Sequence, residues 1–471
     1  MTTINTQRTG AKKIFAFIKQ AIAGGEQDYT QGSIRRAVIL LAIPMVLEMI
    51  MESIFALVDI FFVGRVGNEA VSTVGITESM LTIIYSIGMG LSMGAGAIVA
   101  RRIGEKNTEA ASRSAVQAIL LALMITLVVS LTGIIFGADL LKLMGGNAQM
   151  IAHGKVYTRT IFGGSISIML LFLINGIFRG VGDASIAMQS LVIANICNII
   201  LCPMLINGWG PFPQMGLLGA AVATTTGRSI GVLYQLVRLF GKKTSLNIKL
   251  GYFKPDWKLM GAVFSLGWMG AAQFLIGSAS WIVLAKIMLD FGEGPMAGYM
   301  VAIRLIMFFL LPAWGMSNAA ATLVGQNLGA KQPKRAEQSV WKVATYSMVF
   351  MFAVSLFFYF CSPQLVAFMN ADVTARYYAV LVLRTVSLGY VFYGLGMVMT
   401  NALNGAGDTK TPTLINIVGF WLFQIPVAVL LTQYWHFGPQ GVFVSIVSAE
   451  LLITAISTVI FIRGRWKKKI V

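Results

Sequence analysis

Charge is what this 471-residue sequence has least of. Only 11% of its residues are Asp, Glu, Lys or Arg, against about 25% in ordinary soluble domains. With 57% hydrophobic residues and a mean hydropathy of +0.77, that excludes a soluble globular fold. Acidic residues are scarcest, 18 against 36 basic ones. Histidine occurs twice, at 153 and 436, and cysteine three times, at 197, 202 and 361, without metal-ligand spacing. Neither a metal centre nor a disulfide framework is expected. A Walker A sequence is missing, so the chain is not expected to hydrolyse ATP. The one G-x-S-x-G match, Gly90 to Gly94, lies inside a glycine-rich apolar run rather than a strand-to-helix turn, which excludes a serine hydrolase. A cleaved signal peptide is not expected either: residues 1–36 are basic and polar, and the first apolar run is longer than an h-region.

What the sequence has in abundance is apolar runs of helix length, repeated from end to end. They predict an all-α polytopic membrane protein with twelve transmembrane helices, at about 37–64, 70–99, 114–137, 155–178, 184–207, 216–240, 260–289, 295–324, 340–361, 375–402, 412–432 and 440–462. The net charge of +18 is concentrated in the amino-terminal segment (Lys12, Lys13, Lys19, Arg35, Arg36), in alternate loops (Lys106, Lys242, Lys243, Lys331) and in the tail. That is the positive-inside pattern, so both termini are expected in the cytoplasm and no nucleic-acid partner is implied. Residues 11–23 fit an amphipathic helix on the inner leaflet.

The chain also repeats itself. Gly90 and Gly315, Gly104 and Gly329, RGVGD at 179–183 and NGAGD at 404–408, and Gly216 and Gly441 all pair at one offset (315 − 90 = 225). Six helices separate equivalent positions, so the halves are parallel repeats about an axis along the membrane normal. The expected divisions are a cytoplasmic segment 1–36, a six-helix lobe 37–241, a cytoplasmic linker 242–258, a second six-helix lobe 259–462 and a basic tail 463–471.

The anomaly lies in the first apolar run, which carries Glu48, Glu52 and Asp59. At about 100° per residue, steps of four and seven nearly return to the starting angle, so the three carboxylates share one stripe. An ionised carboxylate at mid-bilayer costs roughly 2.5–3.5 kcal/mol on insertion scales, and such groups turn toward a bundle interior, a wet cavity or an ion path. Glu48 and Asp59 are about 16 Å apart along the axis at ~1.5 Å per residue, which suits successive stations of a proton relay as well as a cation site. An ion pair of Asp59 with Arg65 is the structural alternative. Glu78 and Glu450 are further intramembrane acids, and Arg228, Arg304 and Arg384 intramembrane bases. Arg384 and Glu450 fall at similar depth, which suits either a structural ion pair or a role at substrate. With Glu78, Gln273 and Arg304 they are the candidates for substrate binding or gating. Pro44 precedes Asp59 by 15 residues (59 − 44) and places a hinge in the same helix.

Several of these segments together resemble the multidrug and toxic compound extrusion (MATE) transporters: AIPMVLEMIMESIFALVDIFFVGRVG, the ARRIGEKN and GQNLGAKQ turns, RGVGD and NGAGD, and GLLGAAVATT. The resemblance covers the chain from about Gln31. It implies two six-helix lobes around a central cleft, and efflux of bulky, often cationic, amphipathic compounds in exchange for H+ or Na+, with no cofactor. It also implies that Asp59 is the carboxylate of an amino-lobe site for the proton or Na+, that Asn175, Asn198 and Thr224 line the same cavity, and that Pro44 is the bending point of helix 1. Relatives commonly carry an aspartate in helix 5 where this chain has Cys202, and a buried cysteine cannot replace an ionised oxygen. A relay shifted to Glu52, with Glu48 or Glu78 assisting, would compensate. The branch that uses a glutamate in helix 7 is disfavoured, because Gln273 is the only related side chain there. The expected protein is a monomeric antiporter in a bacterial or archaeal cytoplasmic membrane, in contact with drug-like molecules and membrane lipid. A lipid-linked precursor flippase of the same superfamily is the alternative; Arg228, Arg304 and Arg384 favour it and the acidic helix 1 disfavours it.

Overall fold

The computed structural model describes residues 17–241, 244–369 and 372–469. Lys12, Lys13, Lys242 and Lys243 lie outside the described residues, as does the stretch 11–16 of the expected amphipathic helix; its remainder, 17–23, is helical. Among the described residues there is no strand. Twelve long helices follow in order: α1 (Ile34–Val63), α2 (Asn68–Gly104), α3 (Thr108–Leu143), α4 (Ala148–Val181), α5 (Ala184–Asn207), α6 (Leu217–Phe240), α7 (Trp257–Leu289), α8 (Glu293–Gly329), α9 (Pro333–Ala367), α10 (Val373–Ser387 and Tyr390–Gly405), α11 (Lys410–Tyr434) and α12 (Gln440–Ile462). Ten are long and apolar enough to cross a membrane alone, and α10 does so as a pair bent by 57°. The remaining helix, α6, carries three threonines and Arg228 and is not apolar enough to be counted with them.

Many helices overrun the apolar runs that announce them. The α3 helix starts at Thr108 because the Asn107 side chain accepts from the Ala110 N–H, and α7 starts at Trp257 because Asp256 caps Lys258 and Leu259. Capped turns of this kind satisfy the orphan amides in water, beyond the hydrocarbon that hydropathy detects. The first and seventh helices begin at Ile34 and Trp257, slightly before the expected residues 37 and 260.

The repeat reappears in the backbone. α4 is interrupted at Gly164 and α10 at Gly389, again at the common offset (389 − 164 = 225). The first helix of each half exchanges partners along its length. In α1 the inner residues Val38 and Leu41 pack with Leu323 of α8 and Val340 of α9, while Val63 at its outer end belongs to the amino-lobe core. In α7, Met260 and Val263 join the amino-lobe core and Leu284 and Met288 the carboxy-lobe core. Pro44 is buried in α1 within the portion held by the carboxy-terminal half.

At the end of the molecule that carries the α2–α3 and α8–α9 turns the two halves are pressed together. A Cβ on Gly104 would run into the Gln326 backbone, and one on Gly329 into the Arg101 backbone, so glycine sets the closest approach. The termini clasp the same face: Asp28 pairs with Lys106 at 2.6 Å, Arg335 Nη1 donates to the Gly32 carbonyl at 2.9 Å, and Lys467 pairs with Glu337 at 2.7 Å.

Gly104→Val is expected to destabilise the protein by about 1–3 kcal/mol through overpacking. Gly261→Val, exposed in α7 with open space around its Cβ position, is the control expected to cost less. Denaturant melts in detergent micelles measure the difference.

Candidate functional site

The acids of α1 are distributed over three stations with different partners. Innermost, Glu48 is fully buried; its Oε1 accepts from Asn175 Nδ2 at 2.9 Å and pairs with Arg179 Nη1 at 3.4 Å. Arg179 Nη2 also donates to Ser92 Oγ at 2.9 Å, and Asn175 Oδ1 accepts from Gln235 and Ser190. One network thus ties α1, α2, α4, α5 and α6 together, with its charges matched.

The carboxy-terminal half contains a neutral copy of this station. At the common offset Glu48 corresponds to Gln273 (273 − 48 = 225) and Arg179 to Asn404 (404 − 179 = 225). Gln273 and Asn404 exchange two amide hydrogen bonds of 3.1 Å each. Acid and base have both been replaced by amides, so neutrality is kept in each half.

One turn outward on α1, Glu52 Oε1 meets Arg228 Nη2 at 3.2 Å. Arg228 is 3% exposed and lies against the rings of Phe55 and Tyr85, 4.6 and 5.4 Å from their centroids. Its aromatic walls supply cation–π attraction in place of water. Oε2 of Glu52 and two nitrogens of Arg228 have no hydrogen-bond partner.

Asp59 forms the outer station. Its Oδ1 accepts from Asn198 Nδ2 at 3.0 Å, and Thr224 Oγ1 lies 3.2 and 3.1 Å from its two oxygens. Arg65 stacks over Phe61, 4.4 Å from the ring centroid, and makes no ion pair with Asp59. The buried Asn198 Oδ1 has no partner. Two carboxylate oxygens of α1 and the hydroxyl of Thr224 on α6 therefore lie together, with Asn198 of α5 holding both through its amide nitrogen, an oxygen cluster suited to a proton or a small cation. Cys202, one turn beyond Asn198 on α5, is fully buried and supplies no such oxygen.

The remaining candidates are placed as follows. Asn175 does not line the Asp59 cavity as expected; its side chain reaches α1 at Glu48 instead. Arg384 does not pair with Glu450. It is exposed, donates through Nε to the Tyr359 carbonyl at 3.2 Å and lies 5.8 Å from the centre of that ring. Similar depth did not bring the two together, because their helices present them in different directions. Arg304 and Glu78 are exposed, and neither side chain has a hydrogen bond or ion pair among the described residues. Glu450 is 7% exposed and borders a cavity of about 310 Å³. Sequence reasoning missed Arg179, which RGVGD places at a helix end among topogenic charges. The joint replacement of Glu48 and Arg179 by amides in the second repeat is the signal that marks them as a pair.

Removing one partner of a buried ion pair typically costs about 3–5 kcal/mol. Glu52→Gln and Arg228→Met are each expected to destabilise strongly, while the double substitution recovers most of the loss. A double-mutant cycle of detergent melts measures the coupling.

Comparison with known proteins agrees with this architecture. A Thermotoga maritima protein described as a probable multidrug resistance protein, NorM, is 26% identical over 93% of this chain and 94% of its own length. A FAD transporter of Shewanella oneidensis is 25% identical over 80% of this chain and 83% of its own. The solved structure of a MOP-superfamily transporter from Pyrococcus furiosus superposes with a TM-score of 0.88 at 25% identity, over 94% of this chain and 98% of that one. The MatE family model matches twice, over residues 44–204 and 269–430, once in each half. The chain therefore belongs to the MatE family of multidrug and toxic compound extrusion transporters, membrane proteins of twelve helices that move small molecules and are not enzymes.

Proposed function

We propose that the protein is a secondary active multidrug antiporter that exports amphipathic organic compounds in exchange for H+ or Na+ bound at Asp59. One observation carries this reading. Of the three acids on α1, Glu48 has Arg179 and Glu52 has Arg228, whereas Asp59 has only the neutral donors Asn198 and Thr224. Asp59 thus has no ion pair of its own: the charge of Arg228 reaches it through space but is paired with Glu52, which leaves Asp59 open to a visiting H+ or Na+, as a coupling site requires. Glu52 is already neutralised, so a relay moved to Glu52 is disfavoured. The absence of a Walker A sequence leaves a gradient as the energy source, worth roughly 2.3 kcal/mol per charge per 100 mV.

Alternating access follows from the lobes. Pro44 removes a hydrogen bond in α1 where that helix is gripped by the second half, and Asp59 sits on the portion held by the first. Charge at Asp59 then bears on how the lobes close. The basic loops put both termini in the cytoplasm, and the protein works as a monomer in the cytoplasmic membrane. The name of the Thermotoga relative supports drug-like cargo; the Shewanella relative carries FAD. The flippase alternative needs a basic cleft, and Arg179 and Arg228 are both occupied by α1 carboxylates.

In proteoliposomes with an imposed pH or sodium gradient, Asp59→Asn is expected to abolish dye efflux that the wild type sustains. Efflux by the variant at the wild-type rate would overturn the assignment.

A further inference from the structure

The amino-terminal half keeps a buried arginine on its last helix, whereas among the described residues the carboxy-terminal half has no buried arginine or lysine. At the common offset, Arg228 corresponds to Ile453 (453 − 228 = 225) and Glu450 to Thr225 (450 − 225 = 225). The second half has thus gained an acid on its last helix and holds isoleucine where the first half keeps a buried arginine.

Glu450 borders a cavity of about 310 Å³ enclosed by α7, α8, α10, α11 and α12, and no other charged residue lines it. Its carboxylate has no hydrogen bond or ion pair among the described residues. Around it stand Phe274, Trp281, Trp314, Tyr393 and Phe420, with the Phe274 and Trp314 rings 5.0 Å apart. The cavity also reaches Met93 of α2, so it opens toward the interface between the lobes.

We propose that this cavity is a binding site for a monovalent organic cation with an aromatic or aliphatic body, and that Glu450 is its counter-ion. The chemistry is complementary. An ionised carboxylate in an otherwise uncharged wall lacks a protein counter-charge, and aromatic faces attract a cation while shedding water from its apolar body. A small inorganic ion fits less well, because Glu450 is the one carboxylate on the wall and five rings and three methionines offer apolar surface that such an ion cannot use. The inference builds on the antiport reading in one respect: it separates cargo from coupling ion. Cargo binds beside Glu450 in one half while the ion binds at Asp59 in the other, so the two do not compete for one carboxylate.

Equilibrium binding of tetraphenylphosphonium to the purified full-length protein in detergent tests this without any gradient, so the outcome is independent of ion coupling. Tetraphenylborate, of the same shape and opposite charge, is the control. The wild type is expected to bind the cation and not the anion. Glu450→Gln is expected to weaken cation binding at least about tenfold, and Phe420→Leu, which keeps the carboxylate and removes a ring, about threefold or more. Ile282→Ala, exposed on α7 and outside the cavity, should leave the affinity within about twofold. Should Glu450→Gln fail to fold, Phe420→Leu against Ile282→Ala still decides whether the cavity is the site. No cation binding by the wild type, equal affinity for the borate, or unchanged binding in the cavity variants would overturn the proposal.

Discussion

Charge balance inside the hydrocarbon is the constraint on which the structure depends. Water is not there to solvate an ion, so each buried acid needs a base, a set of polar donors or a visiting cation. Glu48 and Glu52 have bases, drawn from α4 and α6. These pairs fasten α1 to the amino-terminal half and contribute order rather than net attraction, since desolvation offsets much of the Coulomb energy. Asp59, partly buried, and Glu450, buried, have no ion pair among the described residues, one in each half. Function is assigned to what the pairing leaves over.

The internal repeat makes the logic visible. Two halves with one fold have solved neutrality in different ways: a glutamate–arginine pair in the first stands where a glutamine–asparagine pair stands in the second. Substitutions that keep the total charge of a buried contact are tolerated, whereas changing one member alone strands the other. Where a lone acid or a lone base has nevertheless survived, an exchangeable partner is the physical explanation.

Much of this was legible in the sequence. Twelve apolar runs, the constant offset and the singularity of helix 1 depend on composition and spacing, which the bilayer reads directly. Asp59 with Asn198 and Thr224 emerged from motif resemblance, and the structure brings those three together. Asn175 was misplaced because a motif gives the order of residues along the chain and not the height at which two helices cross. Arg384 and Glu450 failed for a related reason: depth is countable from sequence, but the direction in which a helix presents a side chain depends on its packing. Helix ends were read short, since caps such as Asn107 and Asp256 operate in water where hydropathy is silent.

The two halves meet through glycine crossings and through α1 and α7, each of which belongs partly to both cores. A charge change at Asp59 is therefore placed on an element that the other half also holds, which is the mechanical requirement for exchange coupling. The most direct measurement is the reverse experiment. Proteoliposomes are given an outwardly or inwardly directed gradient of a transported dye, with pH and sodium equal on both sides, and ion movement is followed with a pH indicator and radioactive sodium. The account predicts that H+ or Na+ moves opposite to the dye and that Asp59→Asn stops this ion movement. Dye movement without any counter-movement of either ion would contradict it.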